Sequence, residues 1–99
     1  MDEKMALADT TALMTSDDYK ERFKAEYLQT KIRYEKLKNF NTRIEAARRT
    51  GGTQKPFEMP KHDCPDGLLL EQQRAMESYL HTLEVRAVIE GIDLGEFNV

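Results

Sequence analysis

The residues best equipped for chemistry crowd into one stretch, RRTGGTQKPFEMPKHDCPDG, residues 48–67. It carries two adjacent arginines, a Gly-Gly pair, a histidine and the only cysteine, Cys64. Three chemistries suggest themselves: a metal, a cysteine nucleophile, or a phosphate grip. His62, Asp63 and Cys64 offer three ligand types, but adjacent residues cannot all point at one ion, and no second cluster completes a tetrahedral set. A helix start at Pro65 would lower the Cys64 thiol pKa, yet Asp63 and Asp66 oppose that, and neither His62 nor His81 is spaced to act as its base. A phosphate-cradling glycine loop precedes a helix, so that backbone N–H groups face the anion. Gly51 and Gly52 instead follow one, where Arg48 and Arg49 suit the negative end of the dipole and Gly51 suits a left-handed stop. The competing reading keeps Arg48, Arg49, Thr50 and Lys55 as side-chain ligands for a small anion. Arg43, Lys38 and Tyr34 join them from the preceding helix, since cations bind phosphate and a tyrosine ring can stack on a base.

These residues need elements to position them. Asp17, Asp18 and Glu21 put negative charge at a helix start, with cap oxygens on Thr15, Ser16 and Asp17. Phe23, Tyr27, Thr30, Tyr34, Leu37, Asn41 and Ile44 then recur at spacings of 4 and 3, a heptad seam with polar interruptions. No Gly or Pro breaks residues 17–49. Pro65 fits the first turn of a second helix that runs to Glu90, with Gly91 past its end. Leu69, Gln73, Met76, Leu80, Leu83 and Ala87 repeat the seam. A second stripe, Leu68, Ala75, Tyr79, Val85 and Ile89, widens the apolar face beyond what one partner helix covers. The expected fold is therefore all-α: two long antiparallel helices (17–49 and 65–90) of coiled-coil type, a short N-terminal helix or arm (1–16), a linker (50–64) and a tail (95–99), assembled as a homo-oligomeric bundle.

At 99 residues the chain is one domain. No apolar run approaches the ~18 residues that span a bilayer, and the first residues lack a signal-peptide pattern, so a cytoplasmic location without membrane contact is expected. A lone cysteine fits a reducing compartment. The net charge of −3 conceals an uneven distribution. Residues 1–19 carry one lysine against five acids, residues 20–55 eleven Lys/Arg against four, and residues 56–99 three against nine. Such asymmetry suits contacts within or between hairpins, or an anionic ligand on the basic helix. Overall acidity argues against general nucleic-acid binding. The bland reading of Lys20, Arg22, Lys24, Lys31, Arg33, Lys38 and Arg43 is a solvated face with ion pairs at helical spacing.

The segments DDYKERFKAEYLQTKIRYEKL (17–37) and CPDGLLLEQQRAMESYLHTLEVRAVIEGIDL (64–94) resemble a family of small phage and prophage proteins, found in phages of Gram-positive gut bacteria and in crAss-like phages. The resemblance is carried by Tyr19, Phe23, Glu26, Tyr27, the Cys64-Pro65 helix start, Leu68-Leu69, and Leu83-Glu84-x-Arg86-Ala87-x-Ile89-Glu90-Gly91-Ile92. It implies a phage origin and a helical hairpin. By analogy of architecture and origin, two non-enzymatic functions come into view, neither needing a cofactor. One is a counter-defence sponge that traps a cyclic nucleotide or ADP-ribose-type immune signal between protomers, with Arg and Lys on phosphates, Tyr on bases and Thr or Asn on polar edges. The other is a protein-interaction module that inhibits a host defence protein or nuclease, or an accessory assembly factor, through acids such as Glu71, Glu77, Glu84, Glu90, Asp93 and Glu96.

Overall fold

The computed structural model describes residues 6–51 and 59–95, and among these it is all-helical, without a strand. A 3-10 turn at Leu7–Thr10 leads into α1 (Thr11–Met14); α2 (Tyr19–Arg49) and α3 (Asp66–Glu90) are the long elements. The expected bounds shift by a residue or two because different groups do the capping. Asp18, rather than Thr15, Ser16 or Asp17, is the N-cap of α2, its carboxylate accepting from the Lys20 N–H at 2.9 Å. Ser16 supports it by accepting from the Asp18 N–H and donating to Glu21. Pro65 sits just outside α3 in an extended conformation, and its carbonyl accepts from the Leu68 and Leu69 N–H groups.

Glycines end both helices. Gly51 (φ 74°) follows α2, and Gly91 (φ 68°) follows α3 in the left-handed region that a side chain disfavours. Beyond Gly91 the Ile92 N–H donates back to the Ala87 carbonyl at 2.8 Å. That closure turns the Ile92 side chain inward, where it is buried with Phe23, Leu83 and Ala87 and packed by Tyr27 and Leu94. One end of the hairpin is thereby sealed by apolar burial.

α2 and α3 pack along the heptad seam and run antiparallel, as their cross-helix hydrogen bonds show: partner numbers fall along α3 as they rise along α2. The seam is tight toward Gly91, with Leu80, Leu83 and Ala87 buried, and looser toward the linker, where Leu69, Gln73 and Met76 are only half-buried. The N-terminal arm covers a different face of α2. Thr10 is buried there and accepts from Gln29 Nε2 at 2.9 Å, on the same face of the helix as Ala25, Leu28 and Ile32. Leu28 is 0% exposed. The second apolar stripe remains uncovered within the chain: Leu68, Tyr79, Val85 and Ile89 are all exposed.

Candidate functional site

All four tyrosines of the chain spend their hydroxyls on glutamates across the hairpin. Tyr27 donates to Glu84 at 2.8 Å, Tyr34 to Glu77 at 2.7 Å, Tyr79 to Glu26 at 2.7 Å, and Tyr19 to Glu90, which also holds Arg86. A phenol donating to a carboxylate resists ionisation, because losing the proton would leave two anions in contact. The Tyr34 phenol is pushed up to about 12, chiefly by its bond to Glu77 and then by burial. Tyr27 is likewise raised to about 12, with burial the larger cause and Glu84 the second. Tyr19 and Tyr79 are raised mainly by Glu90 and Glu26. Conversely, the Glu90 carboxyl is held below its ordinary value by Tyr19 and then Arg86.

At Tyr34 the ladder joins a polar relay. Asn41 Nδ2 donates to the Leu69 carbonyl at 3.2 Å and to Gln73 Oε1 at 2.8 Å. A carbonyl only accepts, so the Asn41 amide must present its nitrogen there, and Gln73 must meet it with oxygen. The Gln73 amide nitrogen is then turned toward the Tyr34 hydroxyl, whose own proton lies on Glu77, and offsets a little of the rise in that phenol's pKa. With its nitrogen committed, Asn41 keeps Oδ1 as an acceptor that takes no hydrogen bond from the described residues.

Beside this relay the helices part around a cleft of about 280 Å³. Asn41, Thr42, Ile44, Glu45 and Arg48 of α2 line one wall; Asp66, Leu70 and Gln73 of α3 line the other. The mouth is bridged by an Arg48–Asp66 ion pair, and His62 Nε2 reaches the second oxygen of Asp66 at 2.9 Å. The His62 ring packs edge-on against Phe40, with centroids 5.6 Å apart. Two carboxylates against one guanidinium give the cleft itself little attraction for an anion. Its chemistry is that of apolar walls, Ile44 and Leu70, with polar edges between them, which suits a flat heterocycle or a sugar better than a phosphate. No group of three or more His, Cys, Asp or Glu side chains suited to a metal occurs among the described residues.

The seven residues expected to bind a ligand do not form one cluster. Arg48 is in the cleft wall but committed to Asp66. Arg43 is exposed on the side of α2 that faces away from the cleft and forms no ion pair among the described residues. Arg49 turns away to Glu45 at 2.8 Å, and the Thr50 hydroxyl caps α2 by donating to the Ala46 and Ala47 carbonyls. Tyr34 lies in the seam, 6% exposed, with Lys31 and Lys38 over its ring at 5.7 and 6.0 Å. Stacking a base on Tyr34 would require the hairpin to open, because its hydroxyl, its burial and both cations hold it in place. Lys55 lies outside the described residues. The groups that sequence reasoning missed are Asn41 and Gln73, although the signal was present: a polar residue interrupts each of two facing apolar seams, and such residues pair with one another when buried.

On the outer side of α2, Arg33, Lys36 and Arg43 fall at spacings of 3 and 7 and so share a face. None of them forms an ion pair among the described residues, whereas Lys31, Arg48 and Arg49 all do. Solvation is therefore the only present claim on those three charges.

Residues 17–89 match the family model described as Sequestin, a span that takes in both long helices and leaves out α1; the chain belongs to the Sequestin family. No curated protein matches it, and no solved structure does.

Proposed function

We propose that this Sequestin-family hairpin is a non-enzymatic trap for a nucleotide immune signal, a phage counter-defence sponge whose ligand sits at the boundary between protomers. The family's name points to sequestering, a binding role and not a catalytic one, and that is the coarse function on which the finer reading builds. The observation that carries the nucleotide part is a base-sized cleft between α2 and α3, together with cations on the exposed outer face of α2 that no described carboxylate pairs. At about 280 Å³ the cleft is small for a whole ligand, since pockets that enclose drug-sized molecules run to roughly 300–1,000 Å³. It accommodates one base or ribose between Ile44 and Leu70, with Asn41 Oδ1 to accept from an exocyclic amine or hydroxyl. The phosphates then lie outside it, where exposed cations of α2 such as Arg43, which faces away from the cleft of its own chain, reach a ligand held between protomers.

Calorimetry against cyclic di- and trinucleotides and ADP-ribose derivatives tests the reading. Saturable binding of at least one member is expected, weakened about tenfold by Arg43→Ala, a loss of roughly 1.4 kcal/mol. Arg48→Ala is expected to weaken binding as well, because it leaves Asp66 as an unpaired anion at the cleft mouth. Unchanged affinity in both variants would remove this face from the site.

A further inference from the structure

We infer that the outer face of α3 is a self-association seam, on which a second copy of this chain packs its own α3 in the antiparallel sense. The inference rests on the oligomeric part of the proposed function and not on the identity of any ligand. Leu68, Glu71, Ala75, Ser78, Thr82, Val85 and Ile89 recur at spacings 3, 4, 3, 4, 3, 4, an unbroken heptad stripe. It lies away from the seam that meets α2, and every one of its residues is exposed in the protomer. Within it Val85 is 45% and Ile89 77% exposed, so these β-branched side chains bury little surface in their own fold. Small residues occupy the middle of the stripe and permit close approach. The Thr82 hydroxyl is already satisfied by the Ser78 carbonyl at 3.2 Å, so burying it costs no hydrogen bond and turns its methyl outward.

Charge and size decide the occupant and its direction. In a parallel pair each residue of the stripe meets its own copy, and Glu71 would face Glu71 with no cation in the stripe to relieve it. In the antiparallel pair Ser78 lies level with Thr82 of the other copy, Ala75 with its Val85 and Glu71 with its Ile89, so small residues receive larger ones at the centre, each Glu71 sits near an outer end of the seam away from its own copy, and the two helix dipoles oppose. The stripe is thus complementary to itself, as a two-fold dimer requires. The same arrangement sets the far end of the second copy's α3 beside Leu68, on the opposite side of α3 from the cleft residues Asp66 and Leu70.

Light scattering on the ligand-free chain reads the seam directly. The wild type is expected at twice 11.5 kDa or a multiple of that, and Val85→Lys/Ile89→Lys at 11.5 kDa with its helical circular dichroism intact. Both side chains are exposed in the protomer, so the variant retains its fold. A wild type at the single-chain mass, or a variant that still associates, overturns the inference. Direction is read in a Cys64→Ser background with a short bis-maleimide: Thr82→Cys, near the two-fold axis, cross-links, and Leu68→Cys, roughly 36 Å from its copy at 1.5 Å per residue, does not. Any other pattern refutes the antiparallel seam. Because no nucleotide is present, a failed seam is distinguishable from a failed binding site.

Discussion

Replacing Tyr34 by Phe removes one oxygen from the middle of the hairpin and leaves the ring, its burial and its contacts with Lys31 and Lys38 in place. One hydrogen bond is lost, the donation to Glu77 at 2.7 Å. A hydrogen bond to a charged group contributes roughly 1.5–3 kcal/mol, but the Glu77 carboxylate is exposed and regains water, which returns part of that. A net loss of about 1–2 kcal/mol is expected, which for a domain of this length lowers the thermal midpoint by roughly 5–12 °C. Urea unfolding at one fixed protein concentration measures it, because association would otherwise shift the midpoint by mass action. Glu77→Gln keeps an acceptor and should cost less. The double variant then gives the coupling, expected at about 1 kcal/mol. Tyr19→Phe is the control, since its ring is half in water and its midpoint should barely move. A Tyr34→Phe variant within about 0.3 kcal/mol of wild type, or a coupling of zero, would refute the ladder as a source of stability.

The remaining predictions concern the ladder as a whole and the arm. Raised phenol pKa values stabilise the fold fully below the ordinary value of 10 and cease to do so as pH rises through about 12, so helical structure and protonated tyrosines should be lost together in that window. Near-ultraviolet tyrosinate absorbance with circular dichroism follows both; full ionisation near pH 10 in a chain that stays helical would contradict the geometry. Leu28→Ala should destabilise by about 2–5 kcal/mol, because the side chain is 0% exposed under the N-terminal arm, and the urea midpoint should fall without a change in slope. A loss under about 1 kcal/mol would mean that the arm does not pack there.

The architecture is local chemistry and was readable as such. Apolar periodicity, an aspartate at the start of α2 and a glycine after each long helix depend on neighbours within one or two turns. Cross-helix register is different, because it is fixed only when the two seams dock. The tyrosines were legible as seam or interface residues, but not as four donors matched to four glutamates, since helical spacing does not say which carboxylate arrives opposite. Arg48 suffered in the same way. As a last-turn cation it is complete within α2, and only the return of the chain at Pro65 places Asp66 against it. The cleft lies where Gln73 and Asn41 replace a pair of apolar residues in the seam and join the helices through their amides.

The central claim is that the chain holds a nucleotide without changing it. Titrating one protein sample with the nucleotide panel, then denaturing the saturated complex and analysing what is released, tests both halves of that claim. The account predicts a saturable heat with at least one ligand, a stoichiometry set by protomer pairs, and the ligand recovered chemically intact. No heat with any member, or recovery of a cleaved product, would contradict it.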